Sequence, residues 1–186
     1  NDRLMRWDET DGSVSVYERP CRNQNGHTLD AQGRIVACEH RGRCVSRIEP
    51  DGSRTVLADR FEGSRLNSPN DVVVKSDASI WFTDPTYGID SDYEGDAAKS
   101  EIGACNVYRL DPVTGDVAAV ITDRLRPNGL TFSPDERTLF VSDTGASHKA
   151  DHTRAITAYQ ISADGLSAAS PRTFAVSDSG FFDGLR

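Results

Sequence analysis

The sequence is short of almost everything that marks a membrane, nucleotide-binding or covalent-nucleophile protein. No apolar run approaches the ~18 residues a helix needs to cross a bilayer, so no helical span is read. Clustered lysines and arginines are missing too, and the formal charge is −8. An acidic chain without a basic patch argues against a nucleic-acid partner. The four cysteines, Cys21, Cys38, Cys44 and Cys105, show no C-x-x-C spacing and have no histidines at zinc-ligand intervals. Free thiols are expected, with Cys38 buried in an apolar strand; a Cys21–Cys44 or Cys38–Cys44 bridge is the alternative. Gly-x-Ser-x-Gly elbows, phosphate-cradling glycine loops and Cys/His dyads do not occur. Helical periodicity is nearly absent as well.

What is present is a rhythm of short β-branched and aromatic runs broken by Gly, Asp and Pro turns. Three segments align. Asn25-Gly26-His27-Thr28-Leu29 leads to a strand that closes on Glu39. Asn70-Asp71-Val72-Val73-Val74 leads to one closing on Asp84, and Asn128-Gly129-Leu130-Thr131-Phe132 to one closing on Asp143. The interval from Asn to closing acid is fourteen, fourteen and fifteen residues. Each unit continues with a third strand (44–48, 106–110, 155–161), a Gly turn and a fourth strand (54–58, 117–122, 171–176). Four-stranded units recurring at this spacing predict an all-β fold, a β-propeller. Residues 1–24 read as outer strands of a preceding blade, 25–66, 70–125 and 128–176 as full blades, and 183–186 as the start of another. Residues 85–105 form an insertion between the second and third strands of the middle unit, placed to roof the channel. Because the chain opens on Asn1 and stops at Arg186 inside a strand-like run, it is read as an incomplete arc of a closed ring.

In a propeller the residue just before each innermost strand lies at the mouth of the central channel. That column holds Asn25, Asn70, Asn128 and Asp183. Any one Asn-Gly is adequately explained as a turn. Four equivalent positions, all with oxygen side chains, point instead to a shared site for a hard cation, Ca²⁺ first and Mg²⁺ or Mn²⁺ next.

The motifs 67–89 (NSPNDVVVKSDASIWFTDPTYGI), 126–145 (RPNGLTFSPDERTLFVSDTG), 25–40 (NGHTLDAQGRIVACEH) and the terminal DGLR resemble the gluconolactonase family, also called the senescence marker protein or regucalcin-like family. The resemblance covers essentially the whole chain. It implies a six-bladed ring with one divalent cation in its channel (Zn²⁺ joining the ions above) and a sugar lactone as substrate. Asn128 and Asp183 then correspond to direct metal ligands, and Asn70 to an Asn that binds metal and contacts substrate. Asp183 also becomes the proton acceptor. From their place in the repeat, Asn25 and His27 are read as further substrate contacts. A remaining Glu ligand of the family lies in a Glu-Gly-Pro-x-Trp motif that would fall upstream of Asn1. Where some members carry an Arg two residues before the channel Asn, this chain has Ser68.

Other readings stay open at this point. His27 shares its column with Val72, Leu130 and Leu185, so packing is its alternative role. Glu39, Asp84 and Asp143 are expected to satisfy backbone amides at turns, and His148 and His152 to lie in a solvated loop. A non-catalytic calcium- or ligand-binding propeller is the second functional reading; the same site acting on an organophosphate or another ester is the third. An isolated arc without the Glu ligand is expected to be inactive. A cytoplasmic location is expected, with periplasmic or secreted as alternatives, and the oligomeric state is not assigned.

Overall fold

A computed structural model describes residues 2–186. A hairpin of β1 (Leu4–Trp7) and β2 (Val14–Glu18) precedes three four-stranded antiparallel sheets. The first runs β3 (Gln24–Leu29), β4 (Ile35–Glu39), β5 (Cys44–Ile48) and β6 (Arg54–Ala58). A small hairpin, β7 (Arg60–Phe61) and β8 (Ser64–Arg65), links it to the second sheet. That sheet comprises β9 (Val72–Val74), β10 (Ile80–Asp84), β11 (Asn106–Leu110) and β12 (Val117–Ile121). The third comprises β13 (Pro127–Phe132), β14 (Thr138–Asp143), β15 (Ala155–Ile161) and β16 (Ala168–Val176). Each sheet is a meander in sequence order, and the first strand of the middle sheet, β9, abuts the first strands β3 and β13 of its two neighbours. The chain is thus an arc of a β-propeller, with those three strands at the hub.

The core lies between blades. Val36, Cys38 and Val45 of the first sheet pack on Val72, Ile80, Phe82, Tyr108 and Leu110 of the second. Trp81 and Val107, on the opposite face of the second sheet, pack on Leu130, Leu139, Val141 and Tyr159 of the third. Alternate residues of a strand face opposite sides, and the middle sheet is covered on both. That is why Ile80-Trp81-Phe82 reads as a continuous apolar run and not as an alternation.

Turn chemistry follows a repeated rule. Between first and second strands the left-handed position is held by Gly33 (φ 74°), Ala78 (φ 69°) and Glu136 (φ 54°). Between third and fourth strands it is held by Gly52, Gly115 and Gly165. The Asp that opens such a turn accepts amides within it, as Asp77 does from Ser79 at 2.9 Å and Asp135 from Arg137 at 3.1 Å.

Two details differ from the pattern read off the sequence. Strand β16 starts at Ala168, three residues before Pro171, because Ala168 and Ala169 pair with Ile161 and Gln160. Ser170 absorbs the irregularity at φ 52°, and on an outermost strand the missing Pro171 N–H costs no ladder bond. Residues 183–186 form no ladder strand; they run beside Gly129 in the place an inner strand would take. All four cysteines are free thiols.

Glycine at 26 and 129 is demanded by the hub. A Cβ on Gly26 would lie 2.6 Å from the Asn70 carbonyl oxygen, and one on Gly129 would lie 2.6 Å from the Leu185 nitrogen. Gly129→Ala in the intact protein is expected to cost about 1–3 kcal/mol in denaturant unfolding, since backbone must move. Ala78→Gly is expected to stabilise by about 0.5–1 kcal/mol in the same assay, through relief of the left-handed conformation.

Candidate functional site

The hub strands carry their polar residues on bulges. In β3 the register slips between the Gln24–Glu39 and His27–Ala37 pairs, and in β13 between Pro127–Asp143 and Leu130–Val141. Each slip falls on an Asn-Gly pair and re-aims the Asn side chain. Asn25 and Asn128 consequently meet Asn70, which sits just ahead of β9. Asn25 Nδ2 donates to Asn70 Oδ1 at 2.6 Å, and Asn70 Nδ2 donates to Asn128 Oδ1 at 2.9 Å. These three and Asp183 line one cavity of about 470 Å³. The carboxylate of Asp183 is exposed and takes no hydrogen bond among the described residues.

The backbone behind these side chains is latched from blade to blade. Thr83, buried in β10, accepts the Asp71 N–H at 3.1 Å and donates its hydroxyl to the Asn128 carbonyl at 2.6 Å. Ser142 in β14 repeats the device, accepting from Gly129 N at 2.8 Å and donating to the Asp183 carbonyl at 2.9 Å. In the first blade the equivalent position is Cys38, and there Gly26 N donates directly to the Asn70 carbonyl at 2.8 Å. Below this level the buried Asp71 carboxylate is clasped by Arg186, at 3.0 and 3.1 Å to its two oxygens.

The wall of the cavity comes from residues that follow the second strands. Asp84 and Asp143 act as expected: Asp84 accepts Asn67 and Ser68 amides at 2.8 Å each, and Asp143 accepts Leu125, Arg126 and Gly145 amides. Burial pushes the Asp84 carboxyl up to about 7, against the downward pull of its two amides. Glu39 departs from this role. It points into its own sheet, where Arg54 clasps it at 2.5 and 2.7 Å and Ser46 donates to it at 2.5 Å. The residues one beyond these acids are His40, Pro85 and Thr144, and both His40 and Thr144 line the cavity.

The insertion 85–105 completes the wall. Ser68 is wholly buried; its hydroxyl donates to the Pro85 carbonyl at 2.7 Å and accepts Gly88 N at 2.9 Å, which pins the start of the loop. A short helix, α1 (Tyr87–Asp90), follows, and Asp90 pairs with Arg126 at 2.6 Å. Tyr87 bonds to Thr144, and Tyr87 and Glu94 both face the cavity. Burial raises the Tyr87 hydroxyl, keeping it protonated. His40 is 4% exposed, with Nε2 3.1 Å from Asn70 Oδ1 and Nδ1 3.6 Å from the Glu94 carboxylate. Burial lowers its pKa, and the Asn70 bond and the Glu94 charge only partly oppose this.

Of the residues singled out from sequence, the structure therefore brings Asn25, Asn70, Asn128 and Asp183 together, and it does not bring His27 with them. His27 lies past the bulge, bonded to Gln24 at 3.0 Å and facing a separate groove with Leu4, Met5 and Tyr17. His148 is exposed, whereas His152 is half-buried, with its Nε2 3.0 Å from Asp143 Oδ2. His40, Tyr87, Glu94, Thr144 and Ser147 are cavity residues that sequence reasoning passed over. The signal for His40 and Thr144 was the repeat itself, one column beyond the closing acid. As a set, the hub donors are three amide oxygens and one carboxylate, without sulfur or ring nitrogen. That chemistry fits a hard divalent cation and does not fit a soft one.

These features define a β-propeller whose hub residues converge on a polar, ligand-sized cavity. The chain belongs to the SMP-30/gluconolactonase/LRE-like family, whose model matches residues 1–186. It is 31% identical over 155 residues to a gluconolactonase of Zymomonas mobilis, covering 76% of this chain and 43% of that protein. A solved gluconolactonase from Xanthomonas campestris is 41% identical with a TM-score of 0.88, over 98% of this chain and 58% of that one. A calcium-binding regucalcin from Agrobacterium tumefaciens shares the fold at 18% identity, with a TM-score of 0.66, over 93% of this chain and 52% of its own. The chain thus spans about half the length of these relatives.

Thr83→Val preserves shape while leaving the Asp71 N–H and the Asn128 carbonyl unpaired. A loss of about 1–3 kcal/mol is expected in chemical unfolding of the intact protein, with Thr83→Ser near wild type.

Proposed function

We propose that the intact protein is a hydrolase that opens a sugar lactone in the hub cavity. The observation that carries this reading is the meeting of Asn70, Asn128 and Asp183, with Asn25, in one cavity of about 470 Å³. That size suits a small ring compound. Asn128, Asp183 and Asn70 are the residues that hold a divalent cation, with Ca²⁺ the first choice and Mg²⁺, Mn²⁺ or Zn²⁺ the alternatives. When bound, such an ion supplies Lewis-acid polarisation of a carbonyl oxygen.

The chain's own groups do the rest. Asp183 carries the carboxylate best placed to take a proton from water, since it faces the cavity and no protein donor occupies it. Asn25 and Asn70 present amides to the substrate at the floor. Around the mouth, Glu94, Thr144 and Ser147 offer acceptors and hydroxyls of the kind that bind a polyol, and Phe181 supplies an apolar face. Ser68 is committed to holding the 85–105 loop, so sugar recognition falls to these mouth residues.

The test is hydrolysis of glucono-1,5-lactone by the full-length protein, followed by acid release. Activity is expected to disappear on chelation and return with added Ca²⁺ or Mn²⁺. Asp183→Asn is expected to lower kcat roughly 10²–10⁴-fold. Undiminished turnover in that variant removes Asp183 from the chemistry, and cation binding without any lactone hydrolysis replaces the enzyme reading with a binding propeller.

A further inference from the structure

One carboxylate on the cavity wall stands without a hydrogen-bonded partner among the described residues. Glu94 lines the cavity with its side chain half exposed, and the nearest ring nitrogen, His40 Nδ1, is 3.6 Å away, beyond hydrogen-bond reach. The two arginines that border its loop are already committed. Arg126 pairs with Asp90 at 2.6 Å, and Arg41 with Asp96 at 3.1 Å and Asp2 at 3.6 Å. Among the described residues, those lining the cavity include Glu94 and Asp183 but no lysine or arginine. The groove on the far side of Glu94 holds Arg3 together with Asp2.

The backbone that carries Glu94 is fixed at the mouth. A Cβ on Gly95 would overlap the Gly88 carbonyl, and one on Gly88 would lie 2.5 Å from the His40 Cβ, so the loop crosses itself tightly against the wall. Ala97 N donates to Asp92 Oδ1 at 2.8 Å and Ala98 N to the Ile89 carbonyl at 3.0 Å, closing the turn on which Glu94 sits. His40 stands between Glu94 and the hub, with Nε2 3.1 Å from Asn70 Oδ1. Glu94 is thus one imidazole removed from Asn70. The far substituents of a small ring reach that distance when its carbonyl is held at the hub. A bound cation offsets the charge of Asp183, whereas no group in direct contact offsets that of Glu94.

We propose that Glu94 is a specificity-determining residue: it admits lactones that are uncharged at the end away from the carbonyl and turns away those carrying an anionic group there. This rests on the lactonase reading above. The selectivity comes from repulsion and needs no added contact to the favoured substrate. Like charges brought together without a counter-ion are costly, and more so where protein walls exclude water.

The experiment compares kcat/KM of the full-length protein for glucono-1,5-lactone and for its 6-phosphate, which share one ring and differ in one charged group. The wild type is expected to favour the neutral lactone by about 10-fold or more. Glu94→Gln keeps the shape and removes the charge, and it is expected to raise kcat/KM for the phosphorylated lactone about 10-fold. A gain of that kind comes neither from misfolding nor from a lost contact to the sugar. Glu94→Asp, which keeps the charge, is expected to stay selective. Wild-type kcat/KM for the phosphorylated lactone equal to or above that for the neutral one overturns the proposal alone. So does a Glu94→Gln variant in which the phosphorylated lactone gains nothing, or a Glu94→Asp variant as unselective as Glu94→Gln. A protein that hydrolyses neither lactone overturns the proposal together with the reading beneath it.

Discussion

The hub is held by hydrogen bonds that cross from one blade to the next at the backbone of the candidate ligands. Thr83 and Ser142 each take an amide from their own inner strand and give a hydroxyl to the carbonyl of Asn128 or Asp183 in the neighbouring unit. Gly26 and Gly129 let the inner strands approach closely enough for this to happen. A site assembled from four distant stretches of chain keeps its geometry only if the stretches are fixed to one another, and these latches fix them. They also explain the Asn-Gly pairs at 25–26 and 128–129: the first residue turns its side chain to the cavity, and the second lacks the Cβ that would hold the next blade off.

Around that hub the wall is framed by buried carboxylates in structural roles. Asp84 and Asp143 gather the amides of the segments that approach β9 and β13, and His152 reinforces Asp143. The frame carries the 85–105 loop through Ser68 and Arg126, and the loop delivers Tyr87 and Glu94 to the cavity. Charge is thus divided by function. The framing acids are saturated by backbone donors, whereas Asp183 and Glu94 remain open to the solvent-filled space where a ligand would bind.

Much of this was legible beforehand. The recurrence of Asn25, Asn70 and Asn128 ahead of similar four-stranded units specified a propeller, because equivalent positions in a closed ring face one axis. His27, read as a substrate contact with packing as its alternative, lies away from the hub cavity because it follows the register slip at Asn25-Gly26. Glu39 was misread because its partner Arg54, fifteen residues on, is a neighbour only once β5 and β6 fold back.

By itself the sequence determined the repeat, the all-β class, the column of oxygen side chains and the family to which they belong, since all of these are properties of spacing along one chain. Tertiary structure alone decided that His40 meets Asn70 and Glu94, that Ser68 is a loop anchor, and that Thr83 and Ser142 are the latches. Those contacts join residues from 12 to 54 positions apart, through side chains whose direction depends on bulges and on how tightly two backbones can pack. Local propensity carries no information about either.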